Sequence, residues 1–254
     1  MKKLEIRADA PQIYTETFRI RSYHVDIHQR LTLPKLCSFF QEVAGNHTVA
    51  CGVGWDVLQR ENIFWVLSRL KIEIKRYPVW QEKITIRSWS NGLSGLMAIR
   101  HFQVLSEEGE ELVRAISSWL TVDTSSRRIV RANRLMDGFP LNEERLFDEN
   151  PEKLMQPEPE ISGEPVPVCF TETDMNQHMN NVSYIDRIIN AYPFDFLMEH
   201  RVSGFEINFL KEAVPGELLK VQQQSLGELS FLNNIVNADD GSELVRTLMR
   251  WSRV

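Results

Sequence analysis

The second half of the chain repeats the first, and this duplication limits the possible folds more than any other feature of the sequence. Glu108–Arg114 matches Asp240–Arg246, and Trp119 matches Trp251, each 132 positions later. Two further pairs match at offsets of 135 and 148 positions: Leu70–Ile74 with Phe205–Phe209, and Asp26–Gln29 with Asp174–Gln177. Agreement of this length indicates two copies of one structural unit. Since the offset falls from front to back, the second copy has a shorter connection between its helix and its strands.

The first copy has the clearer pattern of helix and strands. Residues 14–25 alternate apolar and polar side chains, which predicts a strand. Pro34 and the apolar residues that follow at helical spacing predict a helix of about sixteen residues that ends near Gly52. Four more strands are predicted at Phe64–Arg76, Lys83–Ser90, Met97–Ser106 and Glu111–Asp123, with turns at Tyr77-Pro78, Asn91-Gly92 and Glu108-Gly109.

This order of elements predicts the fold. A unit this small can bury the apolar stripe of its helix only against the concave face of its own curled antiparallel sheet. That arrangement is the hotdog fold, so the duplication predicts an α+β protein with a tandem (double) hotdog that packs as an intramolecular pseudo-dimer. We expect an N-terminal hotdog at residues 1–125 and a C-terminal hotdog at 166–254. The proline- and glutamate-rich residues 126–165 are predicted to be a linker.

A polar stretch precedes the helix of the second copy. Asp174, Asn176, His178 and Asn180 occupy alternate positions, which predicts an extended lead-in. Asn180 or Asn181 is expected to cap the helix. A carboxylate, a carboxamide, an imidazole and the N–H groups of a first helical turn could together activate water and bind an oxyanion.

The two copies differ where this chemistry would occur. Asp174, Asn176 and His178 correspond to Asp26, His28 and Arg30, and Glu212 corresponds to Tyr77. A site made of Asp, Asn, His and Glu therefore occurs once, in the second copy. The first copy has the more apolar helix, which fits either an apolar binding channel or ordinary core packing.

Composition excludes several classes of protein. The net charge of −6 argues against nucleic acid as the main partner and against a polybasic membrane surface. Charged residues in Met1–Asp9 and the lack of a long uncharged span predict no signal peptide and no membrane insertion, and thus a cytoplasmic protein. Cys37, Cys51 and Cys169 are scattered and lack metal-ligand spacing, so we expect reduced, buried thiols, no metal site and no cofactor.

The polar stretch also resembles a known family. Asp174–Tyr184 is similar to the D-x-N-x-H-x-N-N-x-x-Y signature of the plastid and bacterial acyl-acyl carrier protein (acyl-ACP) thioesterases. Four further segments resemble the N-terminal half of that family: Ile20–Tyr23, Leu36–His47, Trp65–Arg69 and Arg76–Trp80. The resemblance extends from about Phe18 to Val221 and is specific, because charge, amide and imidazole must all fall in register.

The resemblance implies both the site and the partner. The catalytic residues of the family fall on Asp174, Asn176, His178 and Glu212. Plant members often have a cysteine directly after this glutamate, but here the position is Ala213, which rules out a thiol nucleophile. The implied partner is acyl carrier protein bearing a fatty acyl thioester, and the first hotdog would hold the acyl chain. Because the carrier is acidic, it needs a local basic patch, and there are two candidates: Arg127, Arg128, Arg131 and Arg134, or Arg187, Arg201 and Lys211.

Several mechanisms and functions stay open at this point. The nucleophile is either water activated by Glu212 or Asp174, which we favour, or one of these carboxylates itself. His178 would carry a proton or orient the water, and N–H groups near Val182 and Ser183 would bind the oxyanion. The competing functions are an acyl-CoA thioesterase, a hotdog dehydratase of 3-hydroxyacyl thioesters and a non-catalytic acyl-chain sensor. The sequence also leaves open whether the pseudo-dimers pair as a homodimer.

Overall fold

The computed structural model describes residues 5–254, with only the backbone of Arg134. The chain divides into two compact units. Unit 1 consists of the residues up to Ser68 together with Lys75–Pro151, and unit 2 consists of Arg69–Ile74 and Glu152–Val254. None of the helices within residues 5–254 has the length and apolar character needed to cross a bilayer.

Unit 1 contains a long helix and an antiparallel sheet. Its elements are β1 (Tyr14–Arg19), α1 (Leu33–Ala50), α2 (Trp55–Arg60), β2 (Ile63–Ile74, of which unit 1 includes the part up to Ser68), β3 (Lys83–Ser94), β4 (Met97–Leu105), β5 (Glu111–Asp123), β6 (Ile129–Val130) and α3 (Asn133–Met136). The strands pair in the order β1-β3-β4-β5-β2, and β6 pairs with the end of β5 at Thr121 and Val122. The predicted helix and strands are therefore present.

The apolar stripe of α1 explains why this helix packs on its sheet. Thr32 caps the helix by accepting a hydrogen bond from the Lys35 N–H, and Pro34 occupies the first turn, where its missing N–H costs nothing. The buried face consists of Leu33, Pro34, Leu36, Cys37, Phe40, Val43, Ala44 and His47. Phe40 stacks on Phe102 of β4 with ring centroids 4.7 Å apart. Each buried Leu or Phe contributes about 2 kcal/mol.

Unit 2 repeats this order with a shorter helix. Its elements are β7 (Ile161–Ser162), β8 (Val166–Pro167), α4 (Asn181–Asn190), α5 (Phe194–Glu199), β9 (His200–Phe209), β10 (Leu218–Gly227), β11 (Ser230–Asn237) and β12 (Glu243–Arg253). The strands pair in the order β9-β12-β11-β10-β7, β8 pairs with β10, and Arg69–Glu73 of β2 pairs with β9. Both units combine helices with antiparallel strands, which confirms the α+β class. The segment from the helix to the first long strand, residues 191–199, is shorter than residues 51–62 of unit 1, which confirms the shorter connection of the second copy.

Two local predictions for unit 1 are wrong. The strand expected over residues 14–25 ends at Arg19, and a 3-10 turn follows at Ser22–His24. The turn expected at Asn91-Gly92 is instead a β-bulge inside β3, and the chain reverses only after Ser94, which pairs with Met97. Gly92 has φ 89°, a value that the bulge requires and that glycine adopts without strain.

Residues 126–165 are attached to the sheets along much of their length. Within unit 1, the Trp89 Nε1–H donates to the carbonyl of Glu144 at 2.8 Å, and Phe147 packs against Ile99 and Ile116. Within unit 2, the Leu154 N–H donates to Asn208 Oδ1 at 2.7 Å. The predicted linker thus includes β6, α3 and β7, with its first part in unit 1 and the remainder, from Glu152, in unit 2.

Candidate active site

The stretch from Asp174 to His178 is a tight turn rather than the predicted extended lead-in. The Asp174 N–H donates to the carbonyl of His178 at 2.9 Å, and Asp174 Oδ1 accepts from the Asn176 N–H at 2.8 Å. Gln177 completes the reversal with φ 63°. Sequence alternation missed this turn because an Asp side chain can bond the backbone two residues on, which competes with extended structure.

Unit 1 contains the same turn. Asp26 Oδ1 accepts from the N–H groups of His28 and Arg30 at 2.9 and 3.0 Å, and Gln29 has φ 61°. Asp26 and Asp174 occupy matching positions of the repeat. An aspartate that shapes the turn is thus common to both units, whereas the histidine of the second unit is not.

The structure brings His178 together with Glu212. Nε2 of His178 lies 3.5 Å from Oε2 of Glu212, with the two side chains 21% and 39% exposed, so the pair can be reached from solvent. The loop after β9 carries Glu212, and the carbonyl of Ala213 in this loop accepts the Met179 N–H at 2.9 Å. An imidazole beside a carboxylate can pass a proton to and from a reacting group.

Asp174 and Asn176 form a second pair within the turn. Nδ2 of Asn176 lies 3.5 Å from Oδ2 of Asp174, at the limit of a hydrogen bond. Asn176 is exposed and Asp174 is half-buried. All of the predicted site residues thus lie in the turn and in the loop after β9, both in unit 2.

The oxyanion donors predicted at the start of α4 are already used. Asn180 is the N-cap, and its Oδ1 accepts the Val182 N–H at 2.9 Å. The Ser183 N–H donates to the carbonyl of Asn180 at 2.9 Å. The prediction that these two N–H groups bind an oxyanion is therefore wrong for this conformation, because the cap residue itself satisfies both donors.

Sequence reasoning missed two supports of the turn. Arg187 donates to both carboxylate oxygens of Glu172, at 2.7 and 2.6 Å, and its hydrogen bonds lower the pKa of that carboxyl. This contact engages Arg187, which had been a candidate for carrier docking. The second support is Tyr184, whose hydroxyl accepts the Ala213 N–H at 2.9 Å. The tyrosine lies in the family signature, so its motif position was the available signal.

The cysteines agree only in part with expectation. Cys37 and Cys51 are buried, and burial raises the pKa of Cys51 to about 11. Cys169 is exposed, so the prediction of three buried thiols is wrong for this residue. All three are free. Within residues 5–254, no three His, Cys, Asp or Glu side chains are grouped so that they could hold a metal ion.

Comparison with known proteins identifies the class of protein. Solved structures align with nearly the whole chain: an acyl-ACP thioesterase from Bacteroides thetaiotaomicron has a TM-score of 0.85 and 25% identity over 95% of this chain and 98% of its own. The 12:0-ACP thioesterase from Umbellularia californica has a TM-score of 0.85 and 22% identity over 96% and 98% of the two chains. The fold is therefore the tandem hotdog of the thioesterases, as predicted.

Family models then identify the particular family. Residues 11–135 match the acyl-ACP thioesterase N-terminal domain and residues 156–253 match the C-terminal domain. The chain belongs to the acyl-ACP thioesterase family. A palmitoyl-acyl carrier protein thioesterase of Gossypium hirsutum is 28% identical over an alignment 270 positions long, which covers 94% of this chain and 63% of that protein. An oleoyl-acyl carrier protein thioesterase of Arabidopsis thaliana is 26% identical, covering 81% and 61%. The chain spans less than two thirds of these two curated relatives.

Proposed function

We propose that this chain hydrolyses fatty acyl-ACP thioesters to free fatty acid and holo-ACP, and so ends fatty acid chain elongation. Family membership and the names of the relatives support the substrate class. The main structural support for acid–base hydrolysis is the distance of 3.5 Å between His178 Nε2 and Glu212 Oε2. The corresponding positions of unit 1 hold Arg30 and Tyr77, so the reactive pair is restricted to unit 2.

Glu212 is the general base in this proposal, and water is the nucleophile. The carboxylate takes a proton from water, the hydroxide attacks the thioester carbonyl carbon, and a tetrahedral oxyanion forms. Glu212 passes the proton that it took from water to His178; when the intermediate collapses, the carbon–sulfur bond breaks and His178 delivers that proton to the leaving thiolate. The products are a fatty acid and the free thiol of the carrier. No covalent acyl-enzyme is needed, which agrees with Ala213 in place of a cysteine.

Asp174 and Asn176 serve to orient the reactants. Asp26 makes the same turn-forming hydrogen bond in unit 1, where the imidazole–carboxylate pair does not exist. This favours Asp174 as the residue that shapes the turn and Glu212 as the base. The exposed carboxamide of Asn176 can donate to the thioester carbonyl or hold the attacking water.

Unit 1 would hold the acyl chain. The support is the apolar face of α1, which unit 1 presents to its own sheet. That face is filled in this structure, where Phe40 stacks on Phe102. An acyl chain entering between α1 and the sheet must therefore displace one of these rings, and the depth that it reaches would set the preferred chain length.

The carrier protein would dock through local positive charge, since the chain itself has net charge −6. Arg127, Arg128 and Arg131 are exposed and close in sequence, which supports this patch; the side chain of Arg134 lies outside the described residues.

We further infer that the protein acts in the cytoplasm, since free thiols suit a reducing compartment. We also propose that two chains pair as a homodimer, which sedimentation would test.

Hydrolysis assays on acyl-ACP and acyl-CoA of several chain lengths test this function. Free thiol and products, measured by mass spectrometry, should show fatty acid from acyl-ACP, and Glu212→Gln should lower kcat by at least about 100-fold. The matched control is Glu164→Gln, an exposed glutamate of unit 2 that should leave kcat unchanged. A strong preference for acyl-CoA would instead indicate an acyl-CoA thioesterase. Release of an enoyl product without free thiol would indicate a dehydratase, and no turnover of any of these substrates would indicate a non-catalytic sensor.

A further inference from the structure

Two hydrogen bonds fasten the loop that carries Glu212 to the segment that carries His178. The peptide between His178 and Met179 donates its N–H to the carbonyl of Ala213 at 2.9 Å. The peptide between Glu212 and Ala213 donates its N–H to the hydroxyl of Tyr184, also at 2.9 Å. Ala213 is fully buried and Tyr184 is 2% exposed, so neither bond competes with bulk water.

Unit 1 retains one of these bonds and lacks the other. The Leu31 N–H donates to the carbonyl of Pro78 at 2.8 Å, which matches the bond between Met179 and Ala213. At the position of Tyr184, however, unit 1 has Leu36, which has no hydroxyl, and proline at the position of Ala213 has no N–H. Unit 1 thus forms the same turn and loop although neither the hydroxyl nor the N–H of this second hydrogen bond is present.

The difference between the two units shows that the fold does not require the hydrogen bond between Tyr184 and the Ala213 N–H. A leucine and a proline suffice for the fold, since both partners of the bond are replaced together and no buried polar group is left unpaired. The hydroxyl and the N–H occur together only in the unit that has glutamate before this position and histidine in the turn. The bond fixes the peptide that directly follows Glu212, and with it the direction of the carboxylate.

We propose that Tyr184 is a positioning residue for the reaction: its hydroxyl orients the Glu212–Ala213 peptide so that the Glu212 carboxylate faces His178. This inference rests on the proposed function, in which Glu212 is the base. Tyr184 does not contact the reacting atoms and does not exchange protons during turnover. Burial raises the pKa of its hydroxyl well above the ordinary value, so it stays a neutral hydrogen-bond acceptor at physiological pH.

Tyr184→Phe tests the role of the hydroxyl with little change in volume. We expect kcat to fall by about 10-fold to 100-fold while KM changes by less than about 3-fold, because a misplaced base slows the chemical step without weakening binding. The Ala213 amide should also exchange with deuterium faster than in the parent protein. That measurement needs no activity, so it tests the contact even if the chain proves not to be a thioesterase.

A double variant separates positioning from loss of stability. Tyr184→Leu leaves the buried Ala213 N–H unpaired and should lower stability. Tyr184→Leu combined with Ala213→Pro copies the pair found in unit 1, and it should recover stability while kcat stays at least about 10-fold below the parent value. Recovery of kcat together with stability would overturn the proposal. So would a Tyr184→Phe variant with the parent kcat, provided that the parent enzyme is active.

Discussion

Arg187 holds the carboxylate of Glu172 with two parallel hydrogen bonds, Nε to Oε1 at 2.7 Å and Nη2 to Oε2 at 2.6 Å. The same guanidinium donates to the carbonyls of Val166 and Pro167 at 2.9 and 2.6 Å, and the Glu172 carbonyl accepts the Asn180 N–H at 2.8 Å. One side chain of α4 thereby joins β8 to the residues on both sides of the turn that contains His178.

Arg187→Met should destabilise the protein by about 2 kcal/mol, because it leaves a largely buried carboxylate without its partner. Urea denaturation measures the change, and Arg250→Met serves as control: Arg250 pairs with Glu206 at 3.1 Å but is 47% exposed, so the expected cost is below about 1 kcal/mol. Equal costs for the two variants would contradict the role given to the buried pair.

The effect of Arg187→Met should also depend on pH. Hydrogen bonds from Arg187 hold the pKa of Glu172 below its ordinary value of 4.5 in the folded protein. A lowered folded pKa contributes stability that is present above pH 4.5 and is lost as the pH falls through the folded value. The stability difference between parent and variant should therefore narrow below this pH, and a constant difference would show that Glu172 contributes nothing by its ionisation.

Asp174 and Asp26 provide an internal comparison of turn formation with catalysis. Asp174→Ala and Asp26→Ala should each cost about 1 kcal/mol, since each removes a side chain that accepts backbone N–H groups. Asp174→Asn keeps an acceptor oxygen, so it should fold normally and lose less activity than Glu212→Gln. Denaturation and kcat of these variants test this order. If Asp174→Asn lost more activity than Glu212→Gln, Asp174 would be the base.

His101 should make stability fall in acid. It is fully buried, stacks on Trp89, and neither ring nitrogen has a hydrogen-bond partner among the described residues. Burial lowers its pKa from 6.5 to about 4, so as pH falls from 6.5 to 4 the unfolded chain takes up a proton that the folded protein does not.

His101→Phe should remove about 2 kcal/mol of this pH dependence between pH 7 and pH 4.5, because the folded pKa of about 4 lies well below the unfolded value of 6.5. Urea midpoints between pH 7 and pH 4.5 measure the slope. Part of the slope should persist in the variant, because burial also lowers the pKa of His47 to about 4. An unchanged slope would contradict the assignment to His101.

Ala213→Cys should place a thiol in the plant position without creating a nucleophile. Ala213 is fully buried, so a thiol there should resist iodoacetamide, while the exposed Cys169 should react and report that the reagent works. Activity should stay within about 3-fold of the parent, because the backbone bonds of this residue do not depend on its side chain. Rapid alkylation of the new thiol, located by peptide mass spectrometry, would contradict the buried placement.

The success of sequence reasoning depended on the range of the interaction. The repeat and the periodic apolar residues of α1 revealed the element order, because both are patterns of residue type along the chain that need no knowledge of contacts between distant residues. The pairing of His178 with Glu212 came from a motif and an offset, which carry information about long-range contacts that periodicity lacks. The capping prediction was confirmed for Asn180, since N-caps follow from residue type.

The misses involved side chains that bond the backbone. Alternation indicated an extended segment at Asp174, where the carboxylate instead closes a turn, and Asn91-Gly92 has the composition of a turn but forms a bulge. In both cases residue type allowed two local structures; a local side-chain hydrogen bond selected the turn at Asp174, and pairing with β4 selected the bulge at Gly92. The Val182 N–H, predicted to bind an oxyanion, likewise donates to the side chain of the N-cap Asn180.

The attachment of residues 126–165 determines where this protein can be recombined with a relative. The stretch up to Pro151 belongs with the first sheet and the stretch from Glu152 belongs with the second, held there by Asn208. A chimera joined at residue 126 or 165 would separate one of these halves from the surface that it covers. A crossover between Pro151 and Glu152 keeps each of these halves with the strands that it contacts, and the pairing of Arg69–Glu73 with β9 then joins residues from both parents. Shuffling should therefore give a folded chimera at that peptide bond when the relative has compatible residues in that pairing.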